Sequence, residues 1–327
     1  MKKLNIGILG TAAIAKKAVI PMLLNLSEEF NIIGVGGRDL KRTQAYCGPF
    51  NIHAFDSYEA LINEPMMEAV YIPLPNAMHY EWVIKALNNG LHVMCEKSLG
   101  CNQREFEEMV YKAKEQGLLL MEHFQFRFHN QLTFVKSKIR ELGELRTIRS
   151  SFCIPPFTTE NNIRYLKSLG GGALLDNGVY PIKIAQVLLG NDLIVESASV
   201  KKGSREVDVW GDLSIRDLNT GVCCQAVFGF DNIYRCDLEI IGSKGRLTTD
   251  RVYTAPANHK VKVWLEKQEG YHIEKIEIEL LEDDQFKNIW LYFHELITEK
   301  RNFEGEYQQN LMQAKLMQQA INISYGK

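Results

Sequence analysis

The sequence predicts an α/β protein in which a doubly wound parallel sheet is followed by an α+β domain with a large, open-faced, mostly antiparallel sheet. Three observations predict it. Through about residue 122, short apolar runs alternate with stretches of helical periodicity, the pattern of parallel strands joined by crossover helices. From about Ile194 strand-like runs follow one another with only turns between them, until two helices close the chain. A length of 327 residues also exceeds what a single core comfortably serves. The implied domains are 1–122 and 123–327.

Leu4 to Leu9 is an apolar run closed by a small-residue turn, after which Ile14, Ala18 and Met22 recur at helical spacing. The turn reads Gly10-Thr11-Ala12-Ala13-Ile14-Ala15, a G-x-A-x-x-A form of the dinucleotide fingerprint of Rossmann domains. Gly10 permits the turn, and the small residues let backbone approach a pyrophosphate at a helix amino terminus. A small-residue turn that only packs a helix on a sheet reads the same way, so the next elements must decide.

The second strand, Ile32 to Val35, ends in Gly36-Gly37-Arg38-Asp39. A dinucleotide site reads the adenosine ribose at this distance, and an NAD site places an acid there. Gly37 has no side chain to offer, whereas Arg38 has the geometry to grip a 2′-phosphate in bidentate fashion. NADP is favoured, and Asp39 keeps NAD open. Ala69 to Ile72 is the next strand, broken at Pro73-Leu74-Pro75-Asn76. A helix from about Ala77 to Asn89 follows, stopped by Gly90. His79 lies in its first turn, where the helix dipole favours a neutral hydrogen-bonding ring over a cation.

Leu91 to Cys95 reads as a strand and Glu96-Lys97-Ser98 as its exit. A helix opened by Asn102, with Glu105 at capping-box spacing, runs to Gly117. Leu118 to Glu122 is the last strand of the domain. In a parallel sheet all strand exits share one edge, so the turns at Gly10, Gly37, Pro73 and Glu96-Lys97 should meet there. A lone Glu-Lys pair in a loop is worth little. Beside a nicotinamide, Lys97 could bond a substrate oxygen and balance the charge that develops on it.

In the second half, 161–169 is polar and irregular. Gly170-Gly171-Gly172-Ala173-Leu174-Leu175-Asp176-Asn177-Gly178-Val179-Tyr180-Pro181 then enters an apolar helix ending near Gly190. If that helix begins around Ala173, Asp176 and Tyr180 share a face. Strand patterns follow at Ile194–Val200, Gly211–Ile215, Val222–Phe230, Arg235–Ile241, Val261–Leu265 and Ile273–Ile278, then helices at Phe286–Glu299 and Glu306–Ile323.

A charged fraction of 24 % and a net charge of -2 exclude partners bound by bulk electrostatics, nucleic acid above all. Seven cysteines, scattered and without C-x-x-C spacing, point to reduced thiols in a cytoplasm. No apolar run approaches the roughly 20 residues of a membrane span. No cluster of ligating side chains suggests a metal.

Four motifs in order carry a family resemblance: Gly-Ile-Leu-Gly-Thr-Ala-Ala-Ile-Ala at 7–15, Ile-Pro-Leu-Pro-Asn-Ala-Met-His at 72–79, Cys-Glu-Lys-Ser-Leu at 95–99, and the 170–181 stretch. Together the chain resembles the glucose-fructose oxidoreductase and inositol 2-dehydrogenase (Gfo/Idh/MocA) family. Its flavour is that of the NADP-dependent sugar ketoreductases and dihydrodiol-dehydrogenase-like members. The resemblance implies a substrate held in the cleft between a Rossmann domain and an open-faced sheet domain. It also implies a homodimer or homotetramer formed through that sheet. The catalytic set it implies is Lys97, Asp176 and Tyr180, with Arg127 and Arg164 as substrate contacts. The implied cofactor contacts run through Gly10, Thr11, Ala12, Ala13 and Ile14, Gly37 and Arg38, Pro73, Leu74, Asn76 and His79, and Glu96 and Lys97. Where the family has Glu-Lys-Pro this chain has Glu-Lys-Ser, and a non-prolyl bond costs about 2.5–4 kcal/mol to hold cis.

The expected activity is hydride transfer between NADP(H) and a carbonyl or secondary alcohol of a sugar, possible substrates including a nucleotide-linked keto-sugar. A polyol, inositol or trans-dihydrodiol dehydrogenase is the alternative within enzymes. A non-catalytic NADP-binding regulatory protein is the alternative outside them.

Overall fold

A computed structural model describes residues 2–159, 162–204 and 206–326. Asn161, which opens the irregular stretch at 161–169, lies outside them. The chain divides into two compact units, Met1–Phe124 with Phe286–Ala314, and Gln125–Gln285 with Lys315–Lys327.

In the first unit β1 (Leu4–Leu9) leads through a wide π-helical turn, Ala15–Val19, into α1 (Ile20–Asn25). After it come β2 (Phe30–Gly36), α2 (Leu40–Cys47), β3 (Ala54–Phe55), α3 (Tyr58–Ile62), β4 (Ala69–Ile72), α4 (Asn76–Asn88), β5 (His92–Cys95), α5 (Gln103–Gln116) and β6 (Leu120–Glu122). The strands are parallel in the order β3-β2-β1-β4-β5-β6. Covered on both faces, the sheet's middle does not alternate: all four residues of β4 are apolar or aromatic and fully buried. Local chemistry sets the helix ends. Asn102 accepts from the Glu105 amide at 3.1 Å, the Glu105 carboxylate accepts from the Cys101 amide at 2.7 Å, and Gly117 closes α5 at φ 66°.

The second unit holds α6 (Asn130–Lys138), β7 (Leu145–Cys153), a π-helical turn at Leu174–Gly178, α7 (Val179–Leu189) and β8 (Leu193–Lys202). Strands β9 (Asp208–Asp217), β10 (Cys223–Gly229), β11 (Arg235–Gly242), β12 (Gly245–Thr249), β13 (Lys262–Glu269) and β14 (His272–Glu279) complete an eight-stranded sheet, ordered β14-β13-β12-β11-β7-β10-β9-β8. Six of its seven pairings are antiparallel; β7 and β10 run parallel at its centre. The expected helical start at Ala173 is corrected in form, because the turn that carries Asp176 is π-helical and α-geometry begins at Val179. The Asp208 carboxylate accepts from the Leu174 amide at 2.6 Å and so ties down the start of that turn.

Helices α8 (Gln285–Thr298) and α9 (Glu304–Tyr325) close the chain. Sequence patterning assigns both to the second domain, yet Phe286–Ala314 belongs to the first unit. Trp290 meets Phe30 and Tyr71 edge-on at 5.7 and 5.4 Å. The Tyr307 hydroxyl and Asn310 amide donate to the carbonyls of Leu118 and Leu120 at 2.6 and 3.0 Å. Among the described residues, no helix is long and apolar enough to cross a membrane.

Candidate active site

Because every strand of the first sheet runs the same way, the turns after β1, β2, β4, β5 and β6 lie along one edge. The chain reverses its winding between β1 and β4, and ligands of doubly wound sheets bind at such a reversal. Gly10 sits there at φ 107°, where a Cβ would stand 2.7 Å from the Leu74 side chain, so only glycine serves. Thr11 to Ile14 follow it, partly to well exposed. The Ala12 carbonyl accepts from the Tyr46 hydroxyl at 2.8 Å, which fixes the turn.

At the end of β2, Thr11, Gly37, Arg38, Asp39, Arg42, Thr43 and Tyr58 line a cleft of about 310 Å³. A Cβ at Gly37 would lie 2.0 Å from the Thr43 hydroxyl. That hydroxyl is held by the Asp39 carbonyl at 2.7 Å. Asp39 is itself committed as the cap of α2, accepting from the Arg42 amide at 3.0 Å. Thr43 therefore crowds the place from which an acid would bind two ribose hydroxyls. The exposed guanidinium groups of Arg38 and Arg42 supply the charge a 2′-phosphate needs. The residues present fit NADP. Sequence reasoning missed Arg42, whose signal is its place four residues after Arg38, in the first turn of a helix starting at the cleft.

Pro73 and Leu74 are buried at the exit of β4, and Asn76 opens α4. His79, fully buried, places Nδ1 2.7 Å from the Ser98 carbonyl and Nε2 2.7 Å from the Leu74 carbonyl. A neutral ring donates to one of these carbonyls and a protonated ring to both. Burial is the largest influence and holds the pKa below the ordinary histidine value, against the pull of the two carbonyls and Glu96. The expectation of a neutral, hydrogen-bonding His79 agrees with that direction. It links the Pro73 and Lys97 turns, a role its sequence position did not reveal.

The exit of β5 carries the candidate lysine. The Lys97–Ser98 peptide is cis. Ser98 is buried and its hydroxyl donates to the Gly100 carbonyl at 2.8 Å, while the Glu122 carboxylate accepts from the Leu99 amide at 2.9 Å. The Glu96 carboxylate turns into the unit: Oε1 accepts from the Tyr71 hydroxyl at 2.5 Å and lies 2.9 Å from His123 Nδ1. Burial pushes the Glu96 pKa up, but the charge and hydrogen bond of His123, the Tyr71 hydroxyl and Lys97 together outweigh it and bring it to about 2.

In the second unit the Asp176 carboxylate accepts from Arg164 Nε at 2.6 Å, and the Arg164 guanidinium lies over the Phe157 ring at 4.8 Å. Tyr180 is buried among Phe152, Tyr253 and Phe126, with ring centroids at 4.7, 5.3 and 5.8 Å. Arg127 lies 5.2 Å from the ring centroid of Phe128. Among the described residues no cluster of three or more histidine, cysteine or acidic side chains is placed to hold a metal ion.

A reversal-point dinucleotide cleft built for a 2′-phosphate, with a lysine at the neighbouring strand exit, defines a nicotinamide-dependent oxidoreductase. Comparison with known proteins gives the lineage. Residues 4–124 match the GFO/IDH/MocA oxidoreductase family with its NAD-binding Rossmann fold, and 135–248 match that family's carboxyl-terminal domain. A dTDP-3,4-didehydro-2,6-dideoxy-α-D-glucose 3-reductase from Streptomyces violaceoruber is 36 % identical over 273 residues, 83 % of this chain and 79 % of the relative. A trans-1,2-dihydrobenzene-1,2-diol dehydrogenase from Xenopus laevis is 29 % identical over 57 % of each chain. The solved structure of KijD10, a 3-ketoreductase from Actinomadura kijaniata, in complex with NADP and TDP-benzene, superposes with a TM-score of 0.93 at 33 % identity, covering 99 % of this chain and 98 % of that one. The chain belongs to the Gfo/Idh/MocA family and is an NAD(P)-dependent oxidoreductase.

Proposed function

We propose that the protein is an NADPH-dependent 3-ketoreductase of a dTDP-linked 3-keto-2,6-dideoxy sugar. The observation that carries this is its likeness, over more than four-fifths of its length, to reductases named for that substrate, joined to a cofactor cleft in which Thr43 crowds the place of an acid at Gly37. NADPH, when bound, supplies the hydride. Gly10 to Ile14 hold the pyrophosphate, Arg38 and Arg42 the 2′-phosphate, and the turns at Pro73, Leu74, Asn76, His79 and Glu96 the nicotinamide end. Lys97 bonds the sugar's carbonyl oxygen, so that the negative charge arising there as hydride reaches the carbon meets a cation. Tyr180 gives that oxygen its proton, leaving a secondary alcohol. Asp176, steadied by Arg164, orients the substrate, and Arg127 serves as a further polar contact to it.

We place the enzyme in a cytoplasm, in keeping with seven free thiols, and as a homodimer or homotetramer joined through the open face of the eight-stranded sheet. That face bears a polar groove of about 750 Å³ lined by Arg149, Ser151, Gln225, Val227, Asp237 and Trp264. The test is a turnover panel with NADPH and NADH against dTDP-keto-sugars, free aldoses, inositols and trans-dihydrodiols. Turnover confined to NADPH with the dTDP-keto-sugar supports the reading. Turnover only with a dihydrodiol or a free polyol would replace it with the dehydrogenase alternative. Cofactor binding without turnover on any of them would indicate a regulatory protein.

A further inference from the structure

The mechanism above uses Lys97 but leaves unexplained a buried polar cluster that holds the residue before it, Glu96. Tyr71 is fully buried in the middle of the apolar β4, and His123, 1 % exposed, follows β6. Both converge on one atom, Oε1 of Glu96, at 2.5 and 2.9 Å. A carboxylate oxygen only accepts, so both neighbours donate and the His123 proton on this side resides on Nδ1. The rest of the histidine is enclosed by rings: Tyr71 at 5.6 Å, Phe286 at 5.7 Å and Trp290 at 6.0 Å. Its Nε2 is buried without a hydrogen-bond partner. An apolar box has no structural need for a carboxylate, and burying one is costly unless its charge serves something. What lies next in the chain is Lys97.

We propose that Tyr71 and His123 are positioning residues, which hold the Glu96 carboxylate as a fixed counter-charge that keeps the Lys97 ammonium in place for the substrate oxygen. The inference rests on the role of Lys97 proposed above and adds three strands' worth of support to it. Tyr71 comes from β4, Glu96 from the exit of β5 and His123 from the exit of β6, so the counter-charge is tied to three neighbouring strands at the sheet's working edge. A carboxylate accepting two hydrogen bonds in an enclosed site has few rotamers left to it. Its attraction for a neighbouring cation is stronger there than in water. The ionised state of Glu96 follows from the same contacts.

Because both hydrogen bonds end on a single oxygen, Glu96→Gln separates charge from shape. The glutamine oxygen still accepts from Tyr71 and His123, and only the negative charge goes. Two readouts are taken, one of them independent of any substrate. The first is labelling of Lys97 by an amine-reactive reagent, followed by peptide mass spectrometry. In Glu96→Gln the rate should rise several-fold at an unchanged melting temperature, since the amine is no longer held in place by the counter-charge. The second is steady-state kinetics with the substrate found in the turnover panel. There kcat, measured at saturating NADPH, should fall at least tenfold. His123→Leu should lose turnover in the same way, and His123→Asn, whose amide nitrogen takes the place of Nδ1, should recover most of it. Wild-type labelling of Lys97 in Glu96→Gln, or wild-type turnover in His123→Leu, overturns the proposal. A wild-type enzyme that turns over no carbonyl substrate overturns the functional reading instead, and the labelling experiment still decides the role of Glu96.

Discussion

At the scale of single residues, the site is a short turn whose every neighbour is engaged. Glu96 is gripped by Tyr71 and His123, the Ser98 carbonyl faces His79, and the Leu99 amide is held by Glu122. Lys97 is the cation set in this frame. On its proposed role as the charge that meets the developing alkoxide, replacing it with alanine should lower kcat by about 10²–10³. NADPH binding, followed by fluorescence titration, should persist. The sequence placed Lys97 correctly at a strand exit because an apolar run followed by Glu-Lys is a local pattern. The partners of Glu96 were not legible, since Tyr71 and His123 lie 25 and 27 residues from it and read as one apolar-strand residue and one loop residue. The cis peptide at Ser98 was also hidden, because the usual signal for one is the proline this chain lacks.

At the scale of elements, two features carry predictions. The first is the turn between β2 and α2. Thr43, one helical turn into α2, occupies the space a side chain at 37 would need. Gly37→Asp alone should therefore fail to confer use of NADH, whereas Gly37→Asp with Thr43→Gly should raise NADH use relative to NADPH in steady-state assays. Arg42→Ala should weaken NADPH binding by roughly tenfold to a hundredfold through loss of charge-assisted hydrogen bonds, and leave NADH binding nearly unchanged. The second feature is at the opposite edge of the same sheet. His92, at the start of β5, accepts from the Leu119 amide through Nδ1 at 2.9 Å. Burial holds its pKa down at about 4, against the pull of Glu68 and with the help of Lys2. The unfolded chain takes up this proton near pH 6.5 and the folded chain only near 4. The contribution of His92 to stability is thus complete above about pH 6.5 and is lost as the pH falls toward 4, on the order of 3 kcal/mol in all. Urea midpoints measured across that window should rise with pH, and less steeply in His92→Gln.

Elements with strong periodicity were legible: β1, β4 and α5 fall almost where patterning puts them. Two central strands were not. Along β7 the inward residues are Ile148, Ser150 and Phe152, so a buried serine, bonded to Tyr253, interrupts the apolar alternation. β12, Gly245–Thr249, offers a single large apolar side chain. Both are strands because partners on either side complete their ladders, information no local window holds.

At the scale of the whole molecule, alternation followed by uninterrupted strands was enough to predict two sheets of different kinds, and the four motifs were enough to predict the family. The chain's final assignment was not, because α8 packs Trp290 and Phe293 with the first unit's aromatic core after the whole of Gln125–Gln285 has intervened. If the sheet face joins copies of the chain, Trp264→Arg with Val227→Glu should lower the mass measured by light scattering and leave the melting profile of each unit intact. The central claim is that Lys97 and its neighbours reduce C3 of a dTDP-linked keto-sugar with hydride from NADPH. The most direct measurement is transfer from NADPH deuterated at the reactive position of the nicotinamide, with the product read by proton and deuterium NMR. The account predicts one deuterium on C3 of the product sugar, and the same label appearing about 10²–10³ more slowly when Lys97 is alanine. Deuterium at another carbon, or a reduced product that carries only solvent hydrogen at C3, would contradict it.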